Sequence, residues 1–371
     1  MNRKVIWWQP EVGTSELDRV KEVLASNYLN DGAVTEEFES RLQQLLRVKH
    51  VVAVTSGTTA LFLALKAAGI GNGDEVIVPD MTFIASANAV SLTGATPVLA
   101  DIDSRTLNLC VDSVRTHLTQ KTRAIMPVHV SGRACNMTEL AALAQEANVP
   151  IVEDAAEALL SMHDGQSLGT IGLFGCFSLS PNKTISTGQG GLIACNDSDL
   201  HRKLRMLKDQ GRPTKGTGGD DTHAEVGFNF KFTNLQAAIG LGQLDLLQAR
   251  LEHLRGIYTQ YRHHLANVAG VTLLEFKVES GETPQWIDAL VDNRDELCRF
   301  LDSRNIGYRK FWHPLHTQPP YRRDDAQFPN STACAPKALW LPSSFGLTQS
   351  DIEYVCQSIK EFAKQAVSAN G

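Results

Sequence analysis

The sequence has no apolar run that approaches the ~18 residues a helix needs to cross a bilayer. The opening stretch, Met1 to Pro10, carries basic residues but lacks the apolar centre of a secretory leader. Its seven cysteines, at 110, 135, 176, 195, 298, 334 and 356, are odd in number and scattered, with no CxxC pair. That pattern excludes a disulfide framework and gives no metal-binding spacing, so no metal is expected. Cys176 and Cys195 lie in apolar runs and read as buried small hydrophobes. The expectation is a soluble, reduced, cytoplasmic chain. Positive charge is not in excess: Lys+Arg 35 against Asp+Glu 41 leaves a net −6. A nucleic-acid binder that works by whole-domain charge is therefore not expected. Neither GxGxxG nor GxxxxGK(S/T) occurs, which weakens nicotinamide-dinucleotide and P-loop readings. There is no internal repeat and no low-complexity linker.

What is present is an alternation of short apolar runs and amphipathic stretches from about residue 50 to 196. Strands are expected at 50–54, 75–78, 97–100, 124–128, 150–153, 175–178 and 191–195. So many buried-type strands joined by helices predict an α/β fold with a mostly parallel sheet covered on both faces. Residues 197–209 and 233–268 read as helices, with a loop rich in turn formers at 211–219 between them. After about 270 the pattern shifts to short strands and helices. A chain of 371 residues is too long for one ordinary core. The division is therefore a large α/β domain over 1–255, N-terminal segment included, and a small α+β domain over 256–371.

Three features can carry chemistry. Lys183 sits between two apolar strands in a Pro/Gly/Ser-rich turn, where a lysine can project from the sheet edge into a cleft as a nucleophilic amine. On its own it reads as a solvated turn residue. Asp154 ends the apolar strand 150–153, at the sheet edge where open α/β folds bind ligands. A buried acid there needs a cationic partner, although it can also simply cap the next helix. Ser56-Gly57-Thr58-Thr59 joins a strand to a helix, and free N–H groups at a helix N-terminus accept phosphate. It is also readable as a plain capped turn. Taken together, a phosphate cradle, an acid for a ring nitrogen and a lysine for a Schiff base are what pyridoxal 5′-phosphate (PLP) requires.

The sequence resembles the fold-type I aminotransferases of the DegT/DnrJ/EryC1/StrS nucleotide-sugar family. The marks are Phe38-Glu39, Ser56-Gly57-Thr58-Thr59-Ala60-Leu61, Gly73-Asp74-Glu75-Val76-Ile77-Val78-Pro79 and Glu153-Asp154-Ala155-Ala156-Glu157-Ala158. They continue with Gly190-Gly191, Val226-Gly227-Phe228-Asn229-Phe230 and His313-Pro314-Leu315-His316. The resemblance implies that Lys183 is the Schiff-base lysine and Asp154 the partner of the pyridine nitrogen. It places Glu157 near the cofactor's phenolic oxygen, and Gly57, Thr58 and Ser178 at its phosphate. Phe83 matches the aromatic that stacks on the ring. Asn229 matches an asparagine that reaches the phosphate of the neighbouring subunit, which implies a homodimer with shared sites. His313, His316 and Arg309 are expected towards the nucleotide-sugar, with His129 a weaker candidate.

The run Pro181-Asn182-Lys183-Thr184 is similar to the version in perosamine synthases, which aminate C4 of a GDP-linked 4-keto-6-deoxy sugar. The implied activity is transfer of an amino group, from glutamate, to such a sugar for surface polysaccharide. Departures are Gln189 for the usual acid, Lys231 for arginine and Ser131 for a common tyrosine. They leave open a UDP-linked, dTDP-linked or free keto-sugar. A PLP sugar dehydratase would replace the lysine with histidine, and a PLP-binding regulator would need a DNA-binding extension that is not visible. The basic stretch Arg202, Lys203, Arg205, Lys208, Arg212 and Lys215 reads as a solvated helix face or as a border of the substrate site.

Overall fold

The computed structural model describes residues 3–214 and 221–370, with side chains as far as residue 365. The expected apolar runs become β1 (His50–Val54), β2 (Glu75–Pro79), β3 (Thr96–Ala100), β4 (Thr122–Ile125), β5 (Val152–Asp154), β6 (Phe174–Ser178) and β7 (Gly191–Cys195). They stand side by side in the order β3-β2-β4-β5-β6-β7-β1, with parallel bridges Ile125–Ile151 and Val128–Asp154 joining β4 to β5. Only β7 runs against its neighbours.

Strand residues face alternate sides, and both sides are apolar because helices cover each. From β1, Val52 and Val54 join Leu61, Leu63 and Leu65 of the helix Gly57–Ala67 in one core. Val51 and Ala53 point the other way, into a core with Phe38, Leu42, Phe232 and Leu241. Phe38 is fully buried and stacks on Phe232 at 5.8 Å, so its burial alone contributes about 1.5–3 kcal/mol. Beside it the buried Glu39 accepts the Ala53 N–H at 2.8 Å and a two-pronged contact from Arg205.

The basic stretch is thus only in part a solvated face: Arg202 is exposed, while Arg205 and Lys208 turn inward. Lys208 is buried, paired with Asp31 at 2.9 Å and Glu39 at 3.6 Å, and Arg205 is held by Glu39. Arg202 pairs with Asp199 one turn away, and Arg212 with Asp221 at 2.6 Å. A buried charge must find an opposite charge, and Lys208 has two. Lys215, with most of the turn-rich loop at 211–219, lies outside the described residues.

Beyond β7 the chain forms helix Ser198–Lys208 and then a capping box, Thr233 with Gln236, that opens helix Asn234–Asp245. The expected single helix over 233–268 is two, parted at Leu246, with the second running Leu247–His264. That second helix serves two cores. Leu247 and Leu251 pack with Phe38 and Phe232, while Leu254, Ile257 and Tyr261 pack with Ile287, Leu341 and Ile359. The second core rests on an antiparallel sheet in the order Val271–Leu273, Ile287–Val291, Ala338–Leu341, Arg309–Lys310. The N-terminal Val5 belongs to this core too, through a parallel bridge to Ile306. No helix among the described residues is long and apolar enough to cross a membrane.

The topology decides where a ligand can sit. The parallel strands deliver Ser56, Thr82-Phe83, Asp154 and Ser178 to one carboxyl edge, and the small sheet closes over that edge with Trp286, Arg309 and Trp312.

Candidate active site

A cleft of about 280 Å³ opens along this edge, lined by Gly57, Thr58, Phe83, Asp154, Glu157, Ser178, Lys183, Gln189, Trp286, Arg309 and Trp312, among others. Its floor at one end is the start of helix Gly57–Ala67. Ser56 caps that helix, its hydroxyl accepting the Thr59 N–H at 3.1 Å. The N–H groups of Gly57 and Thr58, in the first turn, have no carbonyl four residues back to take them. A side chain at 57 would press on Ser178, whose Cβ lies 3.0 Å from where it would start. Glycine therefore lets the β6 hydroxyl and the helix N-terminus close on the same small volume. That volume suits a dianionic phosphate.

Asp154 stands at the end of β5, only 5% exposed. Its carboxylate accepts the Ser86 hydroxyl at 2.8 Å and the Ala156 N–H at 3.1 Å. Burial pushes the carboxyl above its usual range, and those two donors only partly oppose it. No cation among the described residues forms an ion pair with it. A protonated ring nitrogen would supply the missing partner.

Lys183 rises from the loop between β6 and β7, its side chain 11% exposed. Its Nζ lies 3.2 Å from Glu157 Oε1 and 4.8 Å from the centre of the Trp286 ring. The other Glu157 oxygen accepts the Ser131 N–H at 2.9 Å. Burial raises the Glu157 carboxyl, and Lys183 pulls the other way. The loop is tied down on both sides. Trp8 Nε1 donates to the Pro181 carbonyl at 3.2 Å, and Arg250 Nη1 to that of Thr184 at 3.2 Å. The amine is thus a cleft residue, not a solvated one.

Behind Asp154, the neighbouring Glu153 accepts the N–H groups of Gly169, Ile171 and Gly172, and faces His129 Nε2 at 2.9 Å. His129 Nδ1 accepts the Cys135 N–H at 3.2 Å, so the ring's proton sits on Nε2 and is donated to Glu153. His129 therefore braces β5 from behind and does not line the cleft.

The remaining residues singled out in the sequence are placed as follows. Phe83 is half exposed at the cleft wall, and Arg309 also lines it. His316 does not: it is buried, with Nδ1 2.6 Å from Asp80 and its ring stacked on Phe328. His313 is exposed beside a separate, smaller cavity. Asn229 is exposed, pairs through its backbone with Asp209, and lies outside the cleft lining. Lys231 meets Asp209 at 2.7 Å. Ser131 adopts φ 53° and accepts the Trp340 indole N–H at 3.1 Å.

Sequence reasoning missed Ser86, Ser180, Trp286 and Trp312. Ser86 left no readable trace, since the helix Ala85–Leu92 also carries Asn88 and Ser91.

A family model described as the DegT/DnrJ/EryC1/StrS aminotransferase family matches residues 10–360. The chain is 38% identical over 362 residues to a GDP-perosamine synthase from Caulobacter vibrioides, covering 95% of this chain and 96% of that protein. It is 34% identical over 365 residues to a GDP-perosamine synthase from Vibrio cholerae, at 96% and 98% coverage. Among solved structures, Spr1654 from Streptococcus pneumoniae, determined in PLP and PMP forms, superposes with TM-scores of 0.93 and 0.94. It is 25% identical, and in the PMP form 99% of this chain and 100% of that one are covered. DesI, solved with its TDP-sugar product, gives a TM-score of 0.90 at 30% identity, covering 100% of this chain and 96% of that one.

Proposed function

Because the chain belongs to the DegT/DnrJ/EryC1/StrS aminotransferase family, a PLP-dependent sugar aminotransferase, we propose that it moves an amino group from glutamate to C4 of a GDP-linked 4-keto-6-deoxy sugar. The observation that carries the reading is the convergence of Lys183, Asp154 and the Gly57–Thr58 cradle on one cleft. The choice of sugar is supported by the GDP-perosamine synthases that resemble the chain over nearly their whole length.

Bound in this cleft, PLP supplies an electron sink for the charge that develops at the donor's α-carbon. The chain's own groups do the rest. Gly57 and Thr58 N–H groups and the Ser178 hydroxyl would hold the phosphate, and Phe83 would supply an aromatic surface for the ring. Asp154 keeps the ring nitrogen protonated. Lys183 would be the amine that holds the cofactor and the base that moves the proton at the donor's α-carbon. Glu157 holds the amine within reach and offers a polar contact to the phenolic oxygen. The net reaction would turn the amino donor into its keto acid and the keto group of the sugar into an amine. The seven unpaired cysteines suit a cytoplasmic reaction, before the sugar enters surface polysaccharide.

Incubation with glutamate and a panel of GDP-, UDP- and dTDP-linked keto-sugars, followed by weighing of products, tests the choice of substrate. The amine is expected on the GDP-4-keto-6-deoxy sugar. Product only from a UDP or dTDP sugar would withdraw that choice while leaving the chemistry.

The reading includes a homodimer in which Asn229 serves the neighbouring site, an idea supported by its exposure and its place outside its own cleft lining. Mixing inactive Lys183→Ala and Asn229→Asp subunits should then restore about half of wild-type activity per heterodimer, since one site carries both lesions and the other neither. Verified exchange with no recovery would remove Asn229 from the partner's site.

A further inference from the structure

The turn that brings Phe83 to the cleft wall also brings a hydroxyl behind it. After Thr82 and Phe83 the chain winds into helix Ala85–Leu92, which sets Ser86 one turn beyond Thr82. Ser86 is fully buried, and Thr82 is buried where it lines the cleft. The Ser86 hydroxyl lies 2.8 Å from Asp154 Oδ2 and 3.1 Å from the Thr82 hydroxyl. The Phe83 carbonyl is a more distant acceptor, at 3.3 Å. A serine has one proton to give, and an ionised carboxylate can only accept. That proton therefore goes to Asp154, and Thr82 donates to Ser86 in turn, each bond polarising the next. The Ala156 N–H takes the other carboxylate oxygen, Oδ1. Burial pushes the Asp154 carboxyl up. Of the groups that pull it back, the Ser86 hydroxyl comes first, ahead of the Ala156 N–H, Lys183 and His129.

We propose that Ser86 is a positioning residue that, through Asp154, keeps a proton on the cofactor's ring nitrogen. The proposal rests on the PLP reading of the cleft. Where a buried acid faces a ring nitrogen, the proton between them can sit on either partner. On the nitrogen it leaves a carboxylate and a charged ring, and the charged ring is the stronger electron sink. On the oxygen it leaves two neutral groups. A hydrogen bond donated to the carboxylate stabilises its charged form and lowers its affinity for the proton. Ser86 has no exposed surface, so its hydroxyl serves Asp154 and not solvent. Without that hydroxyl, burial acts on the carboxyl with less opposition. One proton then passes from nitrogen to oxygen, and the paired charges cancel.

The test loads wild type, Ser86→Cys and Ser86→Ala with PLP isotopically labelled at its ring nitrogen, and reads that nitrogen by NMR. Wild type should show a protonated nitrogen. Ser86→Ala should move the resonance towards the unprotonated position. Ser86→Cys, with a weakly donating thiol of similar shape, should fall between them, and it carries the test alone if the alanine variant does not fold. The half-reaction with glutamate should slow about ten- to a hundredfold in Ser86→Ala, as expected for a lost hydrogen bond to a charged group. The same substitution made on Asp154→Asn should change the rate by less than about threefold, because Ser86 acts only through the carboxylate. A residue that merely packs would slow both backgrounds alike and leave the nitrogen protonated. Either of those results would overturn the proposal, as would an unprotonated nitrogen in wild type. If wild type takes up no PLP, the cofactor reading itself fails, and this assignment with it.

Discussion

Lys183→Ala is expected to yield a folded protein that still binds PLP but no longer forms a covalent link to it, with transamination reduced by at least about a thousandfold. The fold should survive because the lysine contributes little to the cores. Its side chain touches Glu157 and the face of Trp286, and the loop that carries it is anchored by backbone contacts from Trp8 and Arg250. Losing the amine leaves Glu157 without its cation. Burial already raises that carboxyl, so the group can take up a proton and keep its bond to the Ser131 N–H. No other lysine among the described residues lines the cleft. Lys208 is bound to Asp31 and Glu39, and Lys231 to Asp209, so neither is a ready substitute. The measurement is the visible absorbance of the loaded variant, followed by borohydride reduction and mass analysis. Cofactor trapped on the variant after reduction would show that another amine holds it and would remove Lys183 from its role.

Why was this lysine legible in the sequence while its neighbours were not? The strands were readable because continuous apolar runs must be buried on both faces, and the ends of parallel strands must meet at one edge. Asp154 and Ser56-Gly57-Thr58 fall at such ends, so their convergence followed from local pattern. Lys183 by itself was an ordinary turn residue and gained meaning only from them. Contacts made across the chain left no such trace. Ser86 meets Asp154 over 68 positions, and nothing in the helix Ala85–Leu92 announces it. His316, expected towards the sugar, instead pairs with Asp80, 236 positions away. The basic stretch misled for the same reason, since the acids that bury Arg205 and Lys208 come from residues 31 and 39. The break at Leu246 was also silent, because Asp245-Leu246-Leu247 has neither proline nor glycine to mark it.

Asp154→Asn tests the cleft from its other side, and should separate stability from activity. An amide can keep both neighbours, its oxygen accepting the Ala156 N–H and its NH2 donating to the Ser86 hydroxyl oxygen, so the variant should fold and bind PLP. It cannot hold a pyridinium. The electron sink weakens, and the half-reaction with glutamate should slow by at least a hundredfold, or about 2.7 kcal/mol of barrier. Without cofactor the effect should reverse. The buried carboxyl forms no ion pair among the described residues, and burial raises it above its unfolded value against a weaker pull from Lys183. At low pH the group is protonated in both folded and unfolded chains, and it costs nothing. As pH climbs past the ordinary carboxylate range, the unfolded chain ionises first and the wild-type fold loses ground. Cofactor-free Asp154→Asn should therefore match wild type in thermal stability at low pH and exceed it at neutral pH. Loading PLP should erase that advantage, because the ring's positive charge is what the carboxylate lacked. Urea or thermal melts of both proteins, with and without cofactor and across pH, read this directly. Two results would reduce Asp154 to a helix cap: half-reaction rates close to wild type, or a cofactor-free variant less stable than wild type at neutral pH. In either case the charge would have no part in the chemistry, and the residue's place at the end of β5 would be a matter of folding alone.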